Sequence, residues 1–307
     1  MARYEKWCEG VSSKQPVSQV AGLVLQARLK AVWQRLPPAA LKSEEDVEFV
    51  HRLRVATRRS VAALRIFRQS LPRRRSREIR EELRQIRRAA GEARDLDVLL
   101  ERLAETYSGD PAGGLAAIRR RIQQQRREAQ GPIVAVYERL VDEQFAQKID
   151  RLLKKVRFRP KRPSQQEPTF GQTARDQLRP LIRKFSRASR GDLSDTKALH
   201  QLRICGKKLR YAIEVFAGVL QPECRRELYP MVKQLQDHLG AINDHAAARR
   251  RFEQWLITAT SEQESASLGE LLIAEQNALV ARHQEFLAWW TPQRSAELQR
   301  RLEETVA

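Results

Sequence analysis

Apolar residues recur three and four positions apart along nearly the whole chain, and strand-like alternation is scarce. The pattern predicts helices at about 18–35, 44–70, 76–91, 94–107, 113–130 and 132–156. A second series follows at about 170–189, 194–219, 223–240, 243–260, 263–290 and 293–304. Pro37 and Pro38 are expected to end the first helix, and Pro72 and Pro222 to separate the second and third helices of each series. Gly109, Gly113 and Gly114 predict a turn, and Gly131 with Pro132 a break or kink. Asp95 and Asp244 are placed to cap new helices after Gly91 and Gly240. Short connections favour antiparallel neighbours, so the expected class is all-α, built of helical bundles.

The two series are related. Residues 51–59 (HRLRVATRR) and 200–208 (HQLRICGKK) share a motif 149 positions apart. The same offset, without a gap, pairs Leu29 with Leu178, Asp46 with Asp195 and Phe67 with Phe216. It also pairs Lys30 with Arg179, Arg35 with Lys184 and Gly91 with Gly240. A repeat this long exceeds a solenoid unit and reads as one duplicated bundle. The halves are expected at 1–157 and 170–307, together one domain over about 18–300. The linker at 158–169 holds Pro160, Pro163 and Pro168 among polar residues.

Charge narrows the function. The chain has 307 residues, 58 Lys and Arg against 38 Asp and Glu, and a formal charge of +20. Such a surplus implies a polyanionic partner. Residues 51–88 hold 14 Arg and 3 Glu, whereas 200–237 hold 7 cations and 4 acids. Aromatics are only 6% of the chain, few for stacking bases. Three cysteines without framework spacing read as free thiols in a reducing compartment. No signal peptide or membrane span is apparent, so a cytoplasmic protein is expected.

On a helix, His51, Arg54, Arg58 and Arg65 fall within an arc of about 60°. Val50, Leu53, Val61, Leu64, Phe67 and Leu71 form the opposite, core-facing stripe. His200, Arg203, Lys207 and Arg210 repeat the cationic arc, with Leu199, Leu202, Leu209, Ile213 and Phe216 behind it. Glu214 replaces Arg65, and Arg59 and Lys208 point more to the side. The next helix adds a second row in Arg77, Arg80, Arg84, Arg87 and Arg88; in the other half Lys233, Gln236 and Asp237 replace the last three. Helices pack about 8–10 Å apart, so two such rows can surround a thin anionic chain but not a duplex. Arginine forks match phosphate oxygens, lysine adds a point charge, and histidine can donate while neutral. The expected anion-binding set is therefore His51, Arg54, Arg58, Arg59, Arg65, Arg80, Arg84, Arg87 and Arg88, with His200, Arg203, Lys207, Lys208, Arg210 and Lys233. The matched pair Lys30 and Arg179 joins it.

These residues resemble the CHAD family, the conserved histidine α-helical domains. The family helix reads roughly V-H-x-x-R-V-x-x-R-R, and residues 50–59 match it closely. Residues 199–204 and 207–211 (KKLRY) are similar to its second copy, and 94–97 and 240–244 to its later motifs. The resemblance implies two bundle-like halves related by a pseudo-twofold axis, with a basic channel or groove between them. It also implies binding of inorganic polyphosphate, association with polyphosphate granules, and no cofactor. Family members often follow a CYTH domain, and this chain is expected to stand alone. Gly206 and the weaker third helix of the second half depart from the pattern, so the first half is expected to grip harder.

Two other functions compete. Nucleic-acid binding is allowed by the charge, but no nucleic-acid-binding motif stands out. A metal-dependent phosphohydrolase needs convergent carboxylates, for which Asp237-His238 and Asp244-His245 are the candidates. No Walker loop or glycine-rich phosphate cradle is present. A non-enzymatic, metal-free protein is the expectation.

Overall fold

A computed structural model describes residues 6–106 and 114–306. Every regular element in them is helical; one isolated bridge pairs Pro16 with Thr169. The first half comprises α1 (Val17–Leu41), α2 (Glu48–Ile66), α3 (Arg73–Thr106), α4 (Leu115–Glu128), α5 (Gly131–Asp142) and α6 (Phe145–Leu153). The second comprises α7 (Phe170–Ser189), α8 (Thr196–Phe216), α9 (Tyr229–Ile257), α10 (Glu262–Trp289) and α11 (Pro292–Glu304). A short 3-10 turn at Arg68–Ser70 and a π-helical turn at Cys224–Leu228 precede α3 and α9.

The sequence divides the third helix of each half where the structure does not. α3 runs through Gly91 and α9 through Gly240, so Asp95 and Asp244 are interior residues and cap nothing. An interior glycine costs only about 1 kcal/mol relative to alanine, less than the packing that an uninterrupted 34-residue α3 retains. At Gly91 the missing side chain has a use: a Cβ there would stand 3.3 Å from Arg54 Nη1. α1 likewise continues through Pro37 and Pro38 to Leu41. Its last turn is held by the Lys42 N–H donating to the Pro38 carbonyl at 2.9 Å. The Gln130 amide caps the Ala39 and Ala40 carbonyls at 2.9 and 2.6 Å, supplying partners that a helix end lacks. The expected helix at 132–156 is two, α5 and α6, parted by Gln144 at φ 54°. Pro72 and Pro222 separate elements as expected; Gly109 and Gly113 lie outside the described residues.

Shifted by 149, α2 would span 197–215, and α8 spans 196–216. α7 begins with a capping box in which Thr169 and Gln172 bond each other's backbone N–H groups. The halves share one core: Phe170 lies 6.3 Å from Phe67 and 5.3 Å from Phe216, ring centre to ring centre. α2 packs on α8, α1 on α7, and α4 on α10. Gly114, at the start of α4, donates its N–H to Ser267 on α10 and leaves no room for a Cβ. Cys8, Cys205 and Cys224 are free and buried. Burial pushes the Cys8 and Cys224 thiols up to about 12. Among the described residues no helix is long and apolar enough to cross a membrane.

Candidate anion-binding site

Where α2 meets α8, and α3 and α7 close the sides, lies a cleft of about 810 Å³. Arg58, Arg65, Arg68, Arg80 and Arg87 line it from the first half, and Lys184, Lys207 and Lys208 from the second. Val61, Ile66, Pro180, Leu181 and Ile204 make much of its wall, and Asp176 is the one carboxylate. Apolar walls focus the field of the cations on the space between them. None of the eight cations has an ion-pair partner among the described residues. Other arginines differ: on α11, Arg300 and Arg301 both pair with Glu297, the ordinary solvated face.

The helices set the positions. Arg58 donates from Nε to the Tyr211 hydroxyl at 3.0 Å, which leaves its terminal nitrogens for the cleft. Arg80 donates Nε to the Ser76 carbonyl at 3.2 Å, one turn back on α3. Lys207 stands among Arg203, Arg58 and Arg210; burial, then Arg203 and Arg58, push its amine down to about 8. Burial, then Arg80, Arg84 and Arg87, hold Arg65 below the ordinary arginine value. Burial likewise lowers Arg203, with Arg58 opposing its charge and Asp244 supporting it. Burial and Arg94 push His51 below the usual histidine range despite Glu48. Crowded cations lacking acids form a field that an anion would relieve.

A family model described as the CHAD domain matches residues 23–253. The chain belongs to the CHAD domain family. The crystal structure of the CHAD domain from the plant Ricinus communis is similar with a TM-score of 0.69 and 22% identity, covering 92% of this chain and 96% of that one. PptA from Streptomyces chartreusis is similar with a TM-score of 0.62 and 19% identity, covering 90% and 99%. At these identities the likeness establishes the shared fold. No curated protein matches the chain.

This CHAD domain brings only part of the expected set into the cleft. Arg58, Arg65, Arg80, Arg87, Lys207 and Lys208 line it, while Arg84 and Arg203 stand behind, close enough to act on Arg65 and Lys207. Arg84 also pairs with Glu81. His51 is half-buried and His200 is exposed; neither lines the cleft. Arg54 is mainly a tether, donating to the Ala90 carbonyl at 3.0 Å and facing Asp95 at 3.7 Å. Arg59 is turned away, its Nε on fully buried Glu214 at 2.8 Å. Arg210 bonds the Tyr211 hydroxyl at 3.4 Å and lies over that ring. Lys233 pairs with Asp237 at 3.7 Å, and Arg88 is exposed outside the cleft. Lys30 is half-buried on α1 away from the lining, and Arg179 lies in a separate groove with its guanidinium on the Val306 carbonyl. The physical reason is common to these departures: a helix arc fixes direction but not which neighbour fills it. Val61, expected in the core, is half-buried: it packs against the core and also lines the cleft.

Sequence reasoning missed Arg68, Lys184 and Tyr211. Lys184 was visible as the repeat partner of Arg35, but nothing in the pattern places α7 against the cleft. In the two Asp–His steps, His245 Nδ1 meets buried Glu275 at 2.6 Å beside Arg102, and His238 lies against Trp289 at 4.3 Å between ring centres. No group of three or more candidate metal ligands occurs among the described residues.

Proposed function

We propose that this CHAD domain binds inorganic polyphosphate in the cleft between α2 and α8, does not turn it over, and associates with polyphosphate granules through it. One observation carries the reading: eight cations face a shared space lined by one carboxylate, and none has an ion-pair partner among the described residues. A flexible chain of phosphates offers the repeated charge and the narrow section that this space accepts. The forks of Arg58, Arg65, Arg80 and Arg87 suit bidentate contact with phosphate oxygens, while Lys207 and Lys208 add point charges. Tyr211 is the one aromatic in the lining and its hydroxyl already accepts from Arg58, which disfavours a base-stacking ligand.

The test is calorimetry with polyphosphate on the Arg58→Ala/Arg65→Ala/Lys207→Ala variant. Even about 1 kcal/mol per lost contact predicts a loss of about a hundredfold. Undiminished affinity would overturn the site. Duplex DNA at equal phosphate concentration should fail to displace polyphosphate. Phosphate release with Mg²⁺ or Mn²⁺ should stay at the blank, and clear turnover would make the protein an enzyme.

A further inference from the structure

The two halves treat matched positions in opposite ways beside the cleft. In the first half Arg65 and Arg80 both line the cleft, and their charges act on one another. Their counterparts at the repeat offset of 149 are Glu214 and Tyr229. There the Tyr229 hydroxyl donates to the buried Glu214 carboxylate at 2.9 Å. The N-terminal segment covers that region: Trp7 packs edge-on against Tyr229 at 4.6 Å, and Glu9 pairs with Arg225. The second half is thus sealed there by Glu214, Tyr229 and the N-terminal segment.

The first half is open at the same place. A second cavity, of about 920 Å³, adjoins the cleft, and Arg68 and Arg80 line both. Its remaining cations are Arg73, Arg74 and Arg77 on the first turns of α3, with Arg159 and Lys161 from the linker. No carboxylate lines it. Among the described residues Arg73, Arg74, Arg77 and Lys161 have no ion-pair partner. The linker is fixed here: the N–H groups of Arg157 and Arg159 donate to the Ser70 and Gln69 carbonyls, both at 3.0 Å. Arg159 spends its guanidinium on the Ser70, Arg157 and Lys155 carbonyls, which braces the strand of linker that presents Lys161. The first turn of α3 carries no acid, although a helix N-terminus disfavours cations. Three arginines held there against the helix dipole, around a cavity without a carboxylate, are a cost to the fold that a bound polyanion reverses.

From the shared Arg68 and Arg80, and resting on the cleft reading above, we infer that this cavity is a second seat for the same polyanion. A polyphosphate chain long enough leaves the cleft past Arg68 and Arg80 on the first-half side only, and continues over the start of α3 to Lys161. Short chains occupy the cleft alone.

The experiment compares tripolyphosphate with long-chain polyphosphate on an Arg74→Ser/Arg77→Ser/Lys161→Ser variant. Tripolyphosphate affinity should stay at the wild-type value, while long-chain affinity falls about tenfold or more with a shallower salt dependence. The melting temperature should not fall, because the removed charges repel one another and the helix dipole. Lys161→Ala alone, outside every helix, should give a smaller loss of the same kind. Long-chain affinity equal to wild type in both variants would overturn the second seat. Failure of the cleft reading shows separately, as tripolyphosphate binding undiminished in an Arg58→Ala/Lys207→Ala variant.

Discussion

Arg54, Arg58 and Arg59 lie within six residues of one helix and do three different jobs. Arg54 ties α2 to the backbone of α3, Arg58 faces the cleft, and Arg59 neutralises Glu214 on α8. Lys207 is the most perturbed of the cleft cations, its amine at about 8 through burial and the charges of Arg203 and Arg58. That shift gives binding a pH dependence. A bound polyanion favours the charged amine, raising its pKa in the complex. Below about 8 the free protein already carries that charge, so affinity is full. Above it, binding must take up a proton, and affinity falls with rising pH by up to about tenfold per unit. Calorimetry at pH 9 in buffers of different ionisation enthalpy should show proton uptake. Lys207→Arg should flatten the profile, and a wild-type affinity constant from pH 7 to 9.5 would show that Lys207 does not face the ligand.

Elements here are positioned by close backbone approaches as much as by apolar stripes. The segment before α1 crosses the end of α8 where Gly218 has no side chain. A Cβ there would stand 2.0 Å from the Cys8 carbonyl oxygen, which backbone cannot yield without moving. Cys8 itself is fully buried, and Lys6 lies over the rings of Trp7 and Tyr229 at 4.9 and 5.2 Å. Gly218→Ala should therefore lift the segment and destabilise the protein by about 1–3 kcal/mol. Urea denaturation measures the loss, and Trp7 emission should change with it. Unchanged stability would mean that the segment contributes nothing to the fold. Tripolyphosphate affinity should be unaffected, since neither Gly218 nor Cys8 lines the cleft.

The whole molecule is one core with two unequal faces. Phe67 and Phe216 occupy matched positions and meet through Phe170 rather than directly. Across the same junction Arg59 of α2 pairs with Glu214 of α8, fully buried and also bonded by Tyr229. Removing one member of such a pair leaves a buried charge short of its partner. Arg59→Ala should cost about 3 kcal/mol in thermal or urea unfolding. It should leave polyphosphate affinity within about twofold, since the guanidinium faces away from the cleft. A stable variant with weakened binding would reverse that assignment and return Arg59 to the ligand.

Much of this protein was legible before any coordinates. Helical periodicity gave the class, the offset of 149 relates the bounds of α2 and α8, and charge pattern gave the cleft-facing Arg58, Arg65, Arg80, Arg87 and Lys207. Each depends on local spacing, which the chain itself carries. The family resemblance, read from residues 50–59 and 199–211, pointed to the same family that the match over 23–253 establishes. Other outcomes needed three dimensions. Gly91 and Gly240 lie inside helices because packing outweighs propensity. Arg59 is spent on Glu214 because a partner helix lies there, and Arg210 turns to its own neighbour Tyr211. Arg68 and Lys184 join the cleft because α7 and the turn before α3 come alongside. The sequence by itself determined which residues carry charge and on which side of each helix. Only the tertiary structure decided which charges are neutralised by neighbours and which are left facing open space, because that depends on contacts between residues far apart in the chain.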